Sequence, residues 1–264
     1  MLAGMLHKSG YFLGDNLYPP RDANPKGFYE DALINQLNEM IIINCVKSVG
    51  ANPFAYRPGQ LWLARFPIDM KFPANEYQQS IIRGLAARAP FCFKDPRFAF
   101  TLEAWLSIAP STIVLCIFRD PASVIASIFK ECSTEPYLFS FSISVETALA
   151  AWREIYWRLL TLYRKHTGIF FLSYRDILNG SVIPKMQEIV KTDLDMTMPE
   201  ASLNRSKAVI PLDENTKLVF DTLLEISKDD LGQDKTSSRL SMIQHMEDKL
   251  SGTGLPCLPS HNSE

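Results

Sequence analysis

Three short apolar runs, each followed by sequence that suits a helix, most restrict how this chain can fold. They cover residues 91–93, 112–118 and 168–173. Unbroken apolar runs of this length are typical of strands buried on both faces of a parallel sheet. Strands that alternate with helices specify layers of helix on sheet. The sequence therefore predicts an α/β fold, a three-layer sandwich around a mainly parallel sheet.

Apolar spacing predicts the helices. We expect them at residues 1–8, 31–49, 75–88 and 144–166, with an irregular, aromatic-rich excursion at residues 53–73. One face of the longest helix repeats at spacings of four and three, which we interpret as core packing. That face consists of Val145, Leu149, Trp152, Tyr156, Leu159 and Tyr163. We predict a single domain over residues 1–250 and a flexible tail over residues 251–264.

Composition excludes several classes of partner. The 264-residue chain is 47% apolar and 21% charged, as a globular domain is. Its formal net charge of -2 gives no electrostatic basis for broad binding to nucleic acid or to a membrane surface. Five scattered cysteines without metal-ligand spacing favour a reducing compartment. Since neither a secretory signal nor a membrane-length apolar run is visible, we expect a cytoplasmic protein with no membrane span.

The strongest local signal is an arginine at the end of an apolar run. Arg119 follows residues 113–118, Pro121 suits the first turn of a helix, and Ser127 lies eight residues after the arginine. The planar guanidinium offers a fork of donors for a phosphate, and a serine hydroxyl adds another. On the local pattern alone, Arg119 could equally be a salt-bridge partner of Asp120.

Four motifs in a fixed order resemble those of the sulfotransferase superfamily. The Arg-Asp-Pro of residues 119–121 with Ser127 resembles the strand and helix that bind the 3′-phosphate of the sulfuryl donor. Residues 93–97, Phe-Lys-Asp-Pro-Arg, are similar to the Lys-Asp-Pro element of tyrosylprotein and bacterial sulfotransferases. Residues 171–178 resemble a Tyr-Glu-Asp-Leu segment. Residues 4–10 and 24–31 resemble the stretch after the phosphosulfate loop of bacterial members. The resemblance covers residues 1–194, with a weaker hint at residues 203–205.

The resemblance implies a nucleotide site. The donor would be 3′-phosphoadenosine 5′-phosphosulfate, bound without a metal in a fold like that of the P-loop nucleotide-binding proteins. Arg119 and Ser127 would bind its 3′-phosphate, and Arg205 would contribute to the same cofactor site. Tyr174 stands where the family has a residue near the adenine ring, although a core tyrosine at the end of a strand would fit the pattern equally well.

The resemblance also implies two catalytic residues. Lys94 stands at the position of a lysine that contacts the transferring sulfuryl group, where an ammonium would stabilise the developing charge. Glu30 is the candidate base for the acceptor hydroxyl or amine, and Asp31 is the near alternative. Either acid could instead cap the following helix. His7 would suit a base by residue type, but its spacing matches no family pattern.

The sequence departs from the family at its start. The family has a strand and a glycine-rich loop before the first helix, and this chain begins at what should be that helix. We therefore expect the first strand and the phosphosulfate loop to be missing, and sulfuryl transfer by the chain as written to be inefficient. The acceptor would be a small molecule, a glycan or a peptide.

Two other functions remain open at this stage. A nucleoside-phosphate kinase shares the expected layout, but it needs a Gly-x-x-x-x-Gly-Lys loop and an acid for Mg²⁺, and the sequence shows neither. The other alternative is a noncatalytic nucleotide-binding or scaffold protein derived from a sulfotransferase.

Overall fold

Two parallel strands stand among many helices in the computed structural model, which describes residues 1–21, 24–48, 59–139, 141–197, 209–230 and 237–251. Strand β1 is Val114–Phe118 and strand β2 is Ile169–Ser173. They pair in parallel from Val114 opposite Ile169 to Phe118 opposite Ser173. The described chain is therefore helix-rich with a small parallel sheet, which confirms the α/β class at this coarse level.

The described helices follow in chain order. They are α1 Leu2–Lys8, α2 Ala32–Ser48, α3 Glu76–Ala86, α4 Phe98–Ile108, α5 Pro121–Thr134, α6 Val145–Tyr163, α7 Tyr174–Leu178, α8 Ile183–Val190, α9 Glu214–Asp230 and α10 Ser237–Ser251. The four predicted helices correspond to α1, α2, α3 and α6, and each end agrees within three residues. Within these described ranges, no helix has the length and apolar character needed to cross a membrane.

The predicted strand at residues 91–93 is wrong for the described chain. Phe91 makes one isolated parallel bridge, with Phe12, supported by hydrogen bonds from Phe12 N to Pro90 O (2.8 Å) and from Cys92 N to Phe12 O (2.8 Å). The partner segment cannot continue as a strand, because Gly10 and Gly14 on either side of it have φ values of 90° and 127°. The apolar run is therefore extended but not part of the sheet.

Two other predicted segments lie partly outside the described residues. In the predicted excursion, residues 59–73 are irregular apart from a short 3-10 turn at Leu61–Leu63, and residues 53–58 are not described. In the predicted tail, Ser251 ends α10, and residues 252–264 are not described.

The main core lies between the sheet and α6. Phe118 of β1, Phe171 of β2 and Tyr163 of α6 are fully buried, and the rings of Tyr163 and Phe171 lie 5.5 Å apart. Trp152, on the predicted apolar face of α6, is also buried, which confirms that this face is core packing. The Tyr156 hydroxyl donates to the Ile117 carbonyl at 3.0 Å and so ties α6 to β1. Helix α9 packs against β2.

Helix α2 begins at a cap that requires a glycine nearby. The Asp31 carboxylate accepts from Leu33 N at 2.9 Å and from Ile34 N at 3.1 Å, and it also accepts from Asn16 N at 2.7 Å. A Cβ atom at Gly14 would lie 2.3 Å from Asp31 Cγ, and the φ of Gly14, +127°, is itself unfavourable for an L side chain. The cap can therefore close on the preceding loop because residue 14 has no side chain.

We predict that Gly14→Ala destabilises the protein by roughly 2 kcal/mol or more, since the new methyl group overlaps a carboxylate that three N–H groups hold in place. Gly84→Ala is the matched control. It lies in the exposed part of α3 with nothing within 4 Å of the added Cβ, so it should stabilise by up to about 1 kcal/mol. Urea unfolding followed by circular dichroism measures both. Equal effects of the two substitutions would contradict this account of the cap.

Candidate functional site

A cavity of about 340 Å³ opens at the carboxyl ends of β1 and β2. Its walls come from the end of each strand, from the first turns of α5 and α7, and from α9. The lining residues are Phe118, Arg119, Asp120, Ser123, Ser173, Tyr174, Arg175, Phe220 and Leu224. Ligands of parallel α/β sheets bind at this edge of the sheet. The cavity is therefore the first candidate binding site.

The charged groups of the cavity favour an anion. The Arg119 guanidinium lies over the Tyr174 ring, 5.1 Å from its centroid, which fixes the cation against an aromatic face. A second guanidinium comes from Arg175, whose side chain is 82% exposed. The one lining carboxylate, that of Asp120, accepts a 2.8 Å hydrogen bond from Ser123 N and caps α5. Two cations beside apolar and aromatic walls suit a planar ligand that carries a phosphate.

Ser127 does not line this cavity, although Arg119 and Tyr174 do. Helix α5 begins at Pro121, so its first turn, which carries Ser123, faces the cavity, and Ser127 comes one turn later on the same side. The sequence reasoning missed Ser123 and Arg175. Both lie in the first turn of a helix that follows a strand, and that position was the signal that could have identified them. Arg205 lies outside the described residues.

Glu30 and Lys94 meet in an ion pair although 64 residues separate them in sequence. Lys94 Nζ contacts Glu30 Oε1, and the other oxygen, Oε2, accepts from Asn35 Nδ2 at 2.9 Å. The preceding residue, Tyr29, has a φ of 55°, a strained value for an aromatic residue. The structure thus brings the two predicted catalytic side chains together at a locally strained point of the backbone.

Asp31, the alternative base, has a structural role, because its carboxylate caps helix α2. It is only 2% exposed, and its two carboxylate oxygens accept two N–H bonds from the first turn of α2 and one from Asn16 of the preceding loop. A carboxylate in that position stabilises the start of a helix. The helix-cap interpretation is therefore confirmed for Asp31, and Glu30 is the acid that faces Lys94.

A buried ion network is formed by Asp95 and Arg97, which follow Lys94 in the sequence, together with residues of α2. Arg97 Nη1 donates to Asp95 Oδ1 at 3.0 Å, Arg97 Nε contacts the Glu39 carboxylate, and Arg97 Nη2 donates to Gly59 O at 3.1 Å. The Asn38 side-chain amide donates to Asp95 Oδ2 at 2.9 Å. All four residues that contribute side chains are buried, with Asn38 at 0% exposure. The network fixes residues 95–97, and so the backbone next to Lys94.

Three polar residues of α2 therefore hold both members of the Glu30–Lys94 pair. Asn35 binds Glu30, while Asn38 and Glu39 bind the residues that follow Lys94. Their spacing of three and four places them on one face of the helix, and we call Asn35, Asn38 and Glu39 the α2 polar stripe. The sequence reasoning missed this stripe. Polar residues interrupting the apolar face of a predicted helix were the signal for it.

Helix α5 begins at the wall of the cavity and carries Glu131 in its last turn. Ser123, Ser127 and Glu131 are spaced by four residues and share a face; Ser123 lines the cavity. Glu131 lies close enough to Glu30 and Lys94 to interact with both charges, and burial raises the pKa of Glu131, whose Oε1 accepts from the Tyr137 hydroxyl at 3.2 Å. Eight residues of helix span about 12 Å. Ser123 at the cavity and Glu131, which lies within electrostatic reach of the Glu30–Lys94 pair, are therefore about this far apart along α5.

Comparison with known proteins gives no relative. Neither the models of protein families, nor the curated proteins, nor the solved structures contain a match to this chain. Across the ranges that the structure describes, no group of three or more His, Cys, Asp or Glu side chains could hold a metal ion. We therefore infer the function from the geometry of the cavity and of the Glu30–Lys94 pair.

Titration of Asp95 provides a test of the buried network. Burial raises the pKa of Asp95 to about 6, although Arg97, Asn38 and a backbone N–H all favour the carboxylate. In the unfolded chain the pKa is near 3.8, so between about pH 4 and pH 6 the folded state binds more protons. The contribution of Asp95 to the free energy of unfolding is therefore largest near pH 4 and falls as the pH rises to about 6.

We predict that wild type loses on the order of 1–3 kcal/mol relative to Asp95→Asn as the pH rises from 4 to 6, because only the wild-type side chain ionises in that window. Above pH 7 the difference between the two proteins should be constant. Urea unfolding of both at pH 4, 5, 6, 7 and 8 measures it. Parallel stability curves over the whole range would show that Asp95 does not titrate there.

Proposed function

We propose that this chain is a sulfotransferase, which transfers a sulfuryl group from 3′-phosphoadenosine 5′-phosphosulfate to a hydroxyl or amine of an acceptor. The Glu30–Lys94 contact is the observation that carries the proposal. It joins the two residues that separate motifs assign to the reacting group, and a chance pairing of residues 64 positions apart is not expected. The acceptor is a small molecule, a glycan or a peptide.

The two side chains have complementary parts in the reaction. Glu30 takes the proton of the acceptor O–H or N–H as the acceptor atom bonds to sulfur. The bond from sulfur to the bridging phosphate oxygen breaks, and its electron pair stays on the 5′-phosphate. Lys94 places an ammonium where negative charge develops on the sulfuryl and phosphate oxygens, which stabilises the transition state. The protein's own residues need no metal for these steps.

The cavity is the place we assign to the nucleotide. Arg119 against Tyr174, with Arg175 beside them, suits a 3′-phosphate, and the rings of Phe118 and Phe220 provide apolar surface for adenine. A nucleotide bound along the face of α5 would have its 3′-phosphate at the cavity and its other end towards Lys94. Ser127 lies one helical turn beyond the cavity, so we assign it to the part of the nucleotide that leaves the cavity along that face rather than to the 3′-phosphate itself.

The proposal includes a finer architecture and a location. We propose that β1 and β2 belong to a three-layer sandwich of the P-loop nucleotide-binding kind, supported by their parallel pairing and by the ligand cavity at their carboxyl ends. We also propose that the protein works in the cytoplasm, since the four cysteines in the described chain are free thiols, as a reducing compartment would leave them.

We predict that Lys94→Ala binds adenosine 3′,5′-bisphosphate with nearly wild-type affinity but transfers sulfuryl groups roughly 100-fold more slowly, because it lacks a transition-state cation. The matched control is Lys71→Ala, which also removes an exposed lysine paired with a glutamate, Glu103 at 2.8 Å. Transfer of ³⁵S from the labelled donor to a panel of hydroxyl and amine acceptors measures turnover, and calorimetry measures affinity.

Three outcomes of this experiment are informative. Loss of turnover in Lys94→Ala but not in Lys71→Ala supports the proposal. Equal turnover in both variants and wild type removes Lys94 from the reaction. Slow transfer by wild type agrees with the inefficiency expected for the chain as written, whereas binding of the nucleotide with no transfer to any acceptor would favour the noncatalytic nucleotide-binding alternative.

A further inference from the structure

The two partners of the Glu30 carboxylate differ in their freedom to move. The Glu30 side chain is only 12% exposed, and Asn35 Nδ2 holds its Oε2 at 2.9 Å. Lys94, the partner of Oε1, is 44% exposed and carries its charge at the end of a flexible chain. Of the two contacts, the one to Lys94 is therefore easier to break.

The backbone on both sides of Glu30 is also fixed. Tyr29 before it holds a strained positive φ of 55°, and its ring lies 6.0 Å from that of His7. Asp31 after it is committed to the α2 cap. Since Glu30 stands between two constrained residues, its carboxylate can stay in place when one partner leaves.

One buried atom of Asn35 destabilises the fold, and packing does not explain why an asparagine stands at this position. Its Oδ1 is buried and has no hydrogen-bond partner among the described residues, and the residue as a whole is only 9% exposed. An unsatisfied buried oxygen destabilises a fold, and a leucine at this place would avoid that loss. The benefit of an asparagine is its amide, which donates a charge-assisted hydrogen bond to Glu30.

We propose that Asn35 is a positioning residue for Glu30, and that Lys94 leaves Glu30 for the anionic end of the donor when the donor binds. This inference rests on the proposed function. When Lys94 leaves, Oε1 of Glu30 becomes free and accepts the proton of the acceptor O–H or N–H. Lys94 keeps its own protons and stays with the sulfuryl group. Before the donor enters, Lys94 blocks the base, so the donor binds productively before the acceptor does.

Nuclear magnetic resonance tests the movement without any enzymatic assay. Lysines of the ¹⁵N-labelled full chain are ¹³C-dimethylated, which keeps their charge, and Lys94→Arg and Asn35→Leu identify the two signals of interest. Pyrophosphate is the probe anion. We expect it to shift the Lys94 methyl signal, while the Asn35 side-chain amide stays slow in exchange with solvent. An unchanged Lys94 signal, or an Asn35 amide that becomes fast in exchange, would overturn the proposal.

The variant Asn35→Leu tests the positioning role. We expect its melting temperature to fall by no more than about 5 °C, because removal of the unsatisfied Oδ1 offsets part of the loss of the hydrogen bond to Glu30. We expect kcat to fall at least about tenfold, because the variant loses part of the rate that a positioned general base contributes. We expect the KM for the donor to stay unchanged. Asn44→Leu, on the same helix, is the control and should leave kcat unchanged. Lower thermal stability with unchanged kcat would assign Asn35 a merely structural role.

The two hypotheses can fail separately. If wild type transfers no sulfuryl group, the proposed function fails, and the pyrophosphate experiment still decides whether Lys94 leaves a fixed Glu30. If wild type is active but Lys94 does not respond to pyrophosphate, the proposed function stands and this inference is wrong.

Discussion

The buried guanidinium of Arg97, held between Asp95 and Glu39, is the interaction on which the candidate site depends. Both contacts lie away from water, where a lone charge would be costly, so the pair of carboxylates must stay with the cation. Removing one partner of a buried ion pair typically costs about 3–5 kcal/mol. Because Glu39 is on α2 and Asp95 directly follows Lys94, this network fixes the position of the lysine relative to the helix.

The rest of the site follows from that anchor and from the sheet. Helix α2 presents Asn35 to Glu30 from the same polar stripe that holds residues 95–97, so the acid and the lysine share one support. The sheet supplies the cavity, since β1 and β2 both end there and α5 starts from its wall. One face of α5 then extends from Ser123 at the cavity to Glu131, which lies within electrostatic reach of the ion pair.

The sequence predicted the local structure better than the long-range contacts. Apolar spacing identified α6, and the apolar runs identified β1 and β2, because these signals depend on neighbouring residues. The run at residues 91–93 has the same apolar pattern as the two strands, but the segment around Phe12 that pairs with it is too short to form a strand. The order of the motifs identified Glu30 and Lys94 as candidate catalytic residues. The hydrogen bonds of Asn35 and Asn38 depend on how α2 packs, which the sequence pattern does not contain.

We propose above all that the cavity at the ends of β1 and β2 binds a phosphorylated nucleotide. Calorimetric titration of Arg119→Met with adenosine 3′,5′-bisphosphate and with adenosine tests it most directly. Arg88→Met is the control, since Arg88 also lies over an aromatic ring, 3.5 Å from the Phe12 centroid, but away from the cavity. Loss of a charge-assisted contact should weaken bisphosphate binding roughly 10- to 100-fold and leave adenosine binding unchanged, in Arg119→Met alone. Equal bisphosphate affinity in wild type and Arg119→Met would contradict the claim.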